Sequence, residues 1–527
     1  MRTAEKKAYI RLLCLLLSLF LVLPLAACGG ASETSSESNS ASESVSESAS
    51  ESESETDADK WAGVDFGGEE LRYNISIAKS TTSTYDAADK YIRDPDLAGA
   101  DEVLKKVYDR NATVRETLGI TVVFDETDAI VSEVLGVLEK LFLLTEDDAP
   151  DIFNNDVYDI VHASYRGMLW NLTDPGKDAA GNDVVSYFDF DHPSWHKEYM
   201  LGTSVYPEKV YVAAGDCFMD VMRMAWVIVI NQDLLLESFS YWFESIGDFY
   251  TFVQEKEWTY GMLGQMAEEV HRDTANEGVT DKDDAVIGFA AGGCMERIFT
   301  WTTGFSVLEE VDGALYVKEN NADFFAYAEA FRTLYNTTGV MRTPTSFEAV
   351  ELFMTGKPLF AMSHLGEMES EEIRNLPFEK GVAPYPLMEG VAEYNTQVHD
   401  QAEVACILGN AGNFEMASAY LQLLCEKSEP VLTEYYERSL KLKYNDDPAT
   451  RAIIDLIHGA VDTPFESLIV REICSGAFYG ERGTEFFDMI LKSARDQENS
   501  FQSTYTANFD RWEKNLEALL DIFNELE

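Results

Sequence analysis

The sequence has few basic side chains for its length. Its 527 residues include 40 lysines and arginines against 94 aspartates and glutamates, so the formal net charge is −54. Proteins bind nucleic acids largely by neutralising phosphates with lysine and arginine, and a strongly negative surface repels them. The charge balance therefore excludes nucleic acid as a partner.

Cysteine is also scarce, and no two cysteines have the C-x-x-C spacing of a metal site. Two of the seven, Cys14 and Cys28, lie in the N-terminal region treated below. The other five are scattered along the chain: Cys217, Cys294, Cys406, Cys425 and Cys474. An odd number of widely spaced cysteines predicts small buried apolar residues, and not a disulfide framework or a zinc site.

Local signatures of catalysis are missing as well. The sequence contains no G-x-S-x-G, no H-E-x-x-H, no phosphate-binding G-x-x-x-x-G-K and no dinucleotide-binding fingerprint. We therefore expect neither an enzyme nor a cofactor. A glycoside hydrolase needs only two well-placed carboxylates, which are plentiful here, so an exported hydrolase stays open as an alternative.

Two segments superficially resemble metal sites. The acidic stretch Asp273–Asp284 lacks the regular alternation of oxygen ligands in a calcium loop, and we expect a surface loop, with residual calcium binding as the alternative. His192, His196 and Glu198 have a spacing that suits zinc on a helix. Pro193 argues against that helix, so surface histidines are the better interpretation and no metal is predicted.

The N-terminus has the composition of a secretory signal. Four basic residues, Arg2, Lys6, Lys7 and Arg11, precede an apolar segment from residue 12 to 23. That segment is shorter than the about 20 apolar residues that a permanent membrane-spanning helix requires. Residues 1–27 are therefore predicted to be a signal peptide that is removed.

The segment LPLAACGG resembles the lipobox of bacterial lipoproteins, in which Cys28 would become the lipid-carrying first residue. Bacterial lipoproteins carry a diacylglyceryl group there, and two acyl chains hold a protein stably where one does so only marginally. We expect a protein anchored to the cell membrane through lipid and facing the exterior. A signal peptide cleaved without lipidation is the alternative.

Residues 28–60 are rich in serine and glutamate and have almost nothing to bury. Such a segment cannot offset the conformational entropy lost on ordering. We expect an extended, disordered linker between the lipid and a globular body that begins near Trp61.

The first part of that body alternates between strand and helix patterns. Strands are predicted at Leu71–Ala78, Ile120–Phe124 and Tyr158–His162. One helix is predicted from its cap at Asp101 to Gly119, and a second lies between residues 130 and 142. This order favours a mostly parallel sheet, with ligands bound beyond the carboxyl ends of its strands.

A second alternation follows. Strands are predicted at Ala225–Ile230, Gly288–Ala291, Leu359–Met362 and Glu403–Leu408, and helices at Trp258–Arg272, Asp323–Tyr335 and Phe347–Met354. The two prolines of Gly381–Leu387 favour a stiff extended connection over a central strand. Nearly everything after Val431 is predicted to be helical. Two α/β halves in one chain suggest two lobes around a cleft.

The order of several segments carries a family resemblance: YDIV followed by GMLWNLTD, AAGD, VIVINQDLL, EWTYGMLGQMAEEV, FMTGKPLFAM, GVAPYPL and EYYERSLKLKYNDDP. In this order the chain resembles an extracellular solute-binding lipoprotein of a bacterial ABC importer, of the carbohydrate-binding type. The resemblance implies an α/β, two-lobed periplasmic-binding-protein-like fold with hinge segments and a helical C-terminal tail.

The same resemblance implies the domain boundaries. Lobe 1 would comprise residues 61–222 and 385–435, and lobe 2 residues 223–384 and 436–527, with hinges near Asp220–Trp226 and Ala383–Pro386. Ligand binding would close the lobes, and the closed form would dock on the transmembrane subunits of the permease. We expect a monomer.

The segment Met295–Phe305 resembles a stretch of maltose-binding proteins. On that match Glu296 would bind sugar hydroxyls, and Trp301 is a second matching residue. Ile298 stands where that family has a stacking tyrosine, and the loop bearing Glu367 lacks the family's tryptophan. The remaining predicted ligand-binding residues are Trp195, Tyr165, Tyr394, Asp220 and Arg223.

A sugar presents flat C–H faces and a rim of hydroxyls, so aromatic rings and polar side chains suit it. The alternative is ordinary packing for each aromatic residue and a solvated or salt-bridged role for each charged one. The predicted function is carbohydrate capture for an importer. The alternatives are a lipoprotein that binds peptides or another small solute, and the exported hydrolase.

Overall fold

The computed structural model describes residues 60–77, 86–129, 133–146, 148–177, 181–204, 209–274, 276–440, 442, 447–461, 465–475, 484–496 and 500–524. The chain divides into two units, Met1–Ala62 and Gly63–Glu527. Only residues 60–62 of the first unit are described, so the predicted signal peptide, Cys28 and most of the linker lie outside the described residues.

Within the described ranges, no helix is both long enough and apolar enough to cross a bilayer.

The second unit contains two larger β-sheets and a hairpin. Its strands are β1 (Glu70–Ser76), β2 (Thr121–Thr127), β3 (Ile152–Asp156), β4 (Trp226–Asn231), β5 (Ile287–Ala291), β6 (Leu308–Val311), β7 (Ala314–Val317), β8 (Val340–Arg342), β9 (Pro358–His364), β10 (Lys380–Ala383) and β11 (Glu403–Ile407).

Helices surround these sheets. They are α1 (Ala87–Tyr91), α2 (Glu102–Leu118), α3 (Val134–Phe142), α4 (Val157–Ser164), α5 (Lys197–Leu201), α6 (Met219–Arg223), α7 (Gln232–Ser238), α8 (Ile246–Gln254), α9 (Tyr260–Val270), α10 (Met295–Trp301), α11 (Ala322–Tyr335), α12 (Ser346–Met354), α13 (Glu371–Arg374), α14 (Phe414–Glu426), α15 (Glu429–Glu434), α16 (Pro448–Gly459), α17 (Phe465–Ser475), α18 (Glu485–Arg495) and α19 (Phe501–Asn524). A 3₁₀ turn spans Leu365–Glu369 and a π-helical turn spans Tyr435–Ser439.

The first sheet has the strand order β11-β3-β1-β2. Strand β1 pairs in parallel with β2 and β3, and β11 runs antiparallel to β3. Leu71, Tyr73 and Ile75 alternate along β1 and are fully buried, which is why the period-two pattern predicted this strand. This sheet and the helices packed on it are called lobe 1.

The second sheet has the order β10-β4-β9-β5-β8. Strand β4 lies between the antiparallel strands β10 and β9, while β5 pairs in parallel with β9 and β8. Every residue of β4 is buried, as its continuous apolar sequence predicts for a central strand. This sheet and its helices are called lobe 2. The two sheets confirm the predicted α/β class with two lobes.

The C-terminal helices form the predicted helical tail. Helix α16 packs against α8 and β10, and α18 packs against α10 and α11. Helices α17, α18 and α19 pack against one another, so the tail is grouped with lobe 2. As predicted, α16 begins at Pro448, and the Asp447 side chain accepts hydrogen bonds from Ala449 N and Thr450 N.

One prediction of local structure was wrong. Tyr158–His162 lies in helix α4 and not in a strand; the strand is β3, which ends immediately before α4. Asp156 caps the helix, because its carboxylate accepts a hydrogen bond from Asp159 N at 2.9 Å. The segment Gly381–Leu387 is not a central strand, as predicted: its start belongs to β10 at a sheet edge, and both prolines follow the last paired residue.

The described part of the acidic stretch after α9 forms the predicted loop. The Asp273 carboxylate accepts hydrogen bonds from Asn276 N at 2.5 Å and Gly278 N at 2.8 Å. Asp284 is buried and lies 2.7 Å from His271 Nε2. The carboxylates at the two ends of the loop are therefore engaged by the protein itself.

Four of the five cysteines are buried, as predicted, and Cys294 is half-buried. Their spacing in the sequence did not reveal that two of them meet in space. The Sγ atoms of Cys217 and Cys425 lie 2.7 Å apart in the core of lobe 1. Burial raises the pKa of the Cys425 thiol well above its usual value.

Candidate functional site

A small cavity lies where β4 meets the segment that leads back to lobe 1. Its volume is about 30 Å³, which is room for about two water molecules. The lining residues come from β4, α10, that segment and the C-terminal tail: Trp226, Arg297, Ile298, Trp301, Gln397, Val398, His399, Asp400, Ser467, Arg471 and Phe487. The tail therefore forms part of the wall.

Two larger hollows each lie on a single lobe. One, of about 410 Å³, is on lobe 1 beside Phe188 and Phe190. The other, of about 450 Å³, is on lobe 2 between α9 and α11. The helices that line each hollow belong to one lobe, so the small cavity is the stronger candidate for a site between lobes.

Aromatic rings are clustered on one side of the small cavity. The ring centroids of Trp226 and His364 are 3.8 Å apart, and that of His399 lies 5.2 Å from His364 and 5.9 Å from Trp226. Burial, followed by the neighbouring His399, lowers the pKa of His364 well below its ordinary value. His364 is therefore neutral near pH 7 and can offer one donor and one acceptor.

Several buried polar atoms at this junction have no hydrogen-bond partner among the described residues. They are Trp226 Nε1, His364 Nε2, Gln397 Oε1 and Ser467 Oγ. A buried polar atom without a partner costs about 1–3 kcal/mol, so folded proteins rarely keep several together without a use for them. Of these residues, Trp226, Gln397 and Ser467 line the cavity and can donate to or accept from a polar molecule bound there.

The C-terminal tail crosses this junction and reaches lobe 1. The Glu472 carboxylate of α17 accepts a hydrogen bond from Tyr158 Oη at 2.6 Å, and its Oε1 lies 3.0 Å from His162 Nε2. Arg471 forms an ion pair of 3.0 Å with Asp400. Helix α17 therefore packs directly against α4 of lobe 1 and keeps the cavity small.

A second set of contacts between the lobes centres on Arg223. Its guanidinium lies 3.0 Å from Asp220, 2.7 Å from Glu369 and 3.0 Å from Asp86. Burial alone would lower the pKa of Arg223, but Glu369 and Asp220 raise it well above its ordinary value. This arginine stays charged and joins carboxylates from both lobes.

The acidic groups around Arg223 have altered pKa values. Burial raises the pKa of Asp220 to about 7, although Arg223 acts in the opposite direction. Burial and the neighbouring Asp220 raise the pKa of Glu403 well above its ordinary value. The two residues are also linked directly, because Glu403 N donates a hydrogen bond to Asp220 Oδ2 at 2.9 Å.

The structure brings some of the predicted ligand-binding residues together. Asp220 and Arg223 are paired, and Glu367 lies in the adjacent 3₁₀ turn, where burial raises the pKa of its carboxyl group. Trp301 lines the cavity. Glu296 is on the same helix, α10, and burial raises the pKa of its carboxyl group as well.

The other predicted aromatic residues pack within the protein. Trp195 Nε1 donates to Gln422 Oε1 at 2.8 Å in lobe 1, and Tyr394 Oη donates at 2.8 Å to the backbone oxygen of Val253 in α8. Tyr165 contacts Phe523 of the tail, with ring centroids 4.5 Å apart. These positions favour the packing alternative for all three.

Sequence reasoning missed several residues that line the cavity, including Trp226, His399, Asp400 and Arg471. Trp226 had a usable signal, because it lies in a predicted buried strand at a predicted hinge. Arg471 had none, since it approaches Asp400 only through the packing of α17.

No protein-family model matches the sequence, and no curated protein matches it either. Solved structures with similar backbones include the GacH receptor of Streptomyces glaucescens, solved unliganded and in complex with acarbose. It has a TM-score of 0.46 and 12% identity, and the match covers 87% of this chain and 100% of that one.

Two further structures give similar values. An ABC substrate-binding protein of Listeria monocytogenes in complex with cycloalternan has a TM-score of 0.49 and 13% identity, covering 84% of this chain and 98% of that one. A cyclo/maltodextrin-binding protein complexed with maltotetraose has a TM-score of 0.48 and 12% identity, covering 86% of this chain and 96% of that one.

Proposed function

We propose that this protein is the substrate-binding component of an ABC importer and captures a sugar or oligosaccharide between its two lobes. It would be held at the outer face of the cell membrane by lipid on Cys28 and would deliver its ligand to the transmembrane subunits of a permease. It would act as a monomer and perform no chemistry of its own.

The observation that carries this proposal is the group of unpartnered polar atoms beside an aromatic cluster. The rings of Trp226 and His399 line the cavity, and His364 packs against both. Gln397 Oε1 and Ser467 Oγ add an acceptor and a hydroxyl that have no partner among the described residues. Sugar C–H faces pack on aromatic rings, and sugar hydroxyls both donate and accept, so the two sets of groups complement one another.

The size of the cavity determines how capture would occur. A volume of about 30 Å³ is far below the about 300 Å³ or more of a typical small-molecule site. A sugar could enter only after α17 withdraws from α4 and the lobes separate. Capture would therefore depend on an arrangement of the lobes more open than this one.

Charged side chains around the cavity also suit a polar ligand. Arg297, Asp400 and Arg471 line it, and guanidinium and carboxylate groups can each form two hydrogen bonds with neighbouring hydroxyls. A peptide could use the same groups, so a peptide-binding lipoprotein is the main alternative. A glycoside hydrolase would need two carboxyl groups about 5–9 Å apart across the bound sugar.

A thermal-shift screen of the full chain against mono- and oligosaccharides and peptides tests the proposal. A sugar present at about 100 times its dissociation constant should stabilise the protein by about 2.7 kcal/mol. Stabilisation by peptides alone would reject the carbohydrate assignment. Release of shorter products from an oligosaccharide would establish the hydrolase instead.

Tryptophan fluorescence would then locate the site. Replacing Trp226 and Trp301 together by phenylalanine should abolish the fluorescence change on sugar binding, because both residues line the cavity. Trp195→Phe is the matched control, since Trp195 is buried in lobe 1 and bonded to Gln422. Loss of the signal in the Trp195 variant alone would move the site to lobe 1.

A further inference from the structure

Three side chains with metal-binding chemistry meet at another place where the lobes join. Asp216 Oδ1 lies 3.3 Å from His458 Nε2 and 3.9 Å from His196 Nε2. The three possible ligand atoms all lie within 4.8 Å of one another. The two imidazole rings have centroids 4.8 Å apart and an interplanar angle of 63°.

The backbone of lobe 1 holds two of these residues in place. His196 N donates to Ala214 O at 3.1 Å, and an isolated bridge pairs Trp195 with Gly215. His196 and Asp216 are therefore held side by side on two adjacent segments. As the position of Pro193 suggested, His196 precedes the next helix, α5, and does not share a helix with His192.

The third residue comes from the other lobe. His458 lies in the last turn of α16, which packs against α8 and β10 of lobe 2. The cluster therefore joins a fixed pair on lobe 1 to a helix of lobe 2. The prediction that His196 is a surface histidine was wrong, because its side chain is 7% exposed.

The distances suit a small ion with tetrahedral geometry. Zinc binds imidazole nitrogen and carboxylate oxygen at about 2.0–2.2 Å, which sets neighbouring ligand atoms about 3.3 Å apart. Asp216 and His458 already have that separation, at 3.3 Å. No other pair of ligand atoms would need to approach by more than about 1.5 Å, which small rotations of the imidazole side chains supply.

The burial of the three side chains also fits a metal site. The side chains of His196, Asp216 and His458 are 7%, 12% and 27% exposed, so solvent reaches the cluster from the His458 side. Asp216 Oδ1 is buried, and no described residue makes a well-oriented hydrogen bond to it, although His458 Nε2 is close. Burial without a well-placed donor leaves this oxygen able to bind a cation.

From this geometry we propose that His196, Asp216 and His458 bind one zinc ion that connects the two lobes, with water as the fourth ligand. Two imidazoles and one carboxylate form a ligand set that zinc favours. Calcium and magnesium should bind poorly, because they prefer six or more oxygen ligands. The zinc site does not depend on the proposed capture of sugar.

Isothermal titration calorimetry of the untagged full chain with zinc chloride, after treatment with a chelator, tests the proposal. We expect one zinc per chain. His458→Gln and Asp216→Asn should each weaken binding by at least about tenfold. Titration with calcium and magnesium should give no comparable binding.

His192→Gln is the matched control, because its ring lies 2.8 Å from Ser194 Oγ and not in the cluster. It should bind zinc as the wild-type protein does. Circular dichroism would check that each variant is folded, and cobalt(II) in place of zinc should give the absorption spectrum of a tetrahedral site. Absence of zinc binding in the wild-type protein, or unchanged binding in the His458 and Asp216 variants, would overturn the proposal.

Discussion

Two contacts that join the lobes differ in their electrostatic character. Around Arg223, one guanidinium is shared by carboxylates from both lobes, Asp220, Asp86 and Glu369. Around Glu472, one buried carboxylate meets Tyr158 and His162, and its Oε2 has no hydrogen-bond partner among the described residues. The first contact is built on a cation with several acidic partners, and the second on hydrogen bonds to one carboxylate.

This difference indicates which contact can separate. Removing either partner from a buried ion pair leaves a charge without a partner, at a cost of about 3–5 kcal/mol. Separating α17 from α4 instead exposes a carboxylate, a phenol and an imidazole to water, which hydrates all three well. The ion pair on this helix, Arg471 with Asp400, joins one cation to one carboxylate, whereas Arg223 has three acidic partners. We therefore expect the Arg223 contact to persist while the lobes open at the Glu472 contact.

Arg223→Met should have the largest effect. It leaves the carboxyl group of Asp220 buried without its cation and Glu369 with Lys90 alone, so the free energy of unfolding should fall by about 3–5 kcal/mol. Chemical denaturation would measure it. Arg438→Met is the control, since the Arg438 side chain is 64% exposed and pairs with Glu434 four residues before it. Equal losses of unfolding free energy in the two variants would show that the Arg223 contact stabilises the protein no more than an exposed ion pair does.

Asp220→Asn should change how stability depends on pH. The folded pKa of Asp220 is about 7, above the about 3.9 of an unfolded aspartate. Between these two pKa values the folded state holds a proton on Asp220 that the unfolded state has lost. The stability that comes from this proton is fully present below about pH 4 and is lost as the pH rises through 7.

Unfolding free energies of the wild-type and Asp220→Asn proteins between pH 4 and 8 would isolate this contribution. The difference between the two curves should change by about 1.4 kcal/mol per pH unit at most, which corresponds to one proton. Parallel curves would show that Asp220 ionises normally.

Glu472→Gln should have a smaller effect on unfolding. Glutamine keeps the volume and one acceptor but loses the charge that holds Tyr158 and His162, so we expect a loss of about 2 kcal/mol. Glu485→Gln is the control on the next helix, where the carboxylate pairs with Arg511 and is 39% exposed. A loss as large as that of Arg223→Met would contradict the proposed weakness of this contact.

Tyr435→Phe should have the smallest effect. The Tyr435 hydroxyl donates to Glu369 Oε1 at 2.6 Å, but Glu369 keeps Arg223 and Lys90 when this hydroxyl is removed. We expect a loss of about 1 kcal/mol in thermal or chemical denaturation. A larger loss would mean that the hydroxyl, and not the arginine, holds Glu369.

Local signals predicted most elements because the deciding contacts are local. Asp101 caps α2 by accepting from Leu104 N at 2.9 Å, and Gly119 ends it in a left-handed conformation with φ of 60°. At Tyr158–His162 the apolar pattern suited a strand and a buried helix equally. The Asp156 carboxylate decides in favour of the helix because it caps the first turn. A pattern of apolar residues gives no information about such a cap.

The site was harder to predict because its parts are distant in the sequence. Asp400 and Arg471 meet only after α17 packs on α18 and α19. His458 likewise reaches Asp216 through the packing of α16. Periodicity and helix caps describe one helix or strand at a time, so they give no information on contacts between residues of different elements. Asp220 and Arg223 could be singled out because they lie together at a predicted hinge.

The position of α17 has a consequence for measured affinity. If a ligand binds only molecules in which Glu472 has left Tyr158 and His162, the apparent dissociation constant equals the intrinsic one divided by the fraction of such molecules. Strengthening this contact by about 1.4 kcal/mol would then weaken apparent binding about tenfold. A substitution that loosens this helix would make the protein less stable and its ligand more tightly bound, so stability and affinity would change in opposite directions.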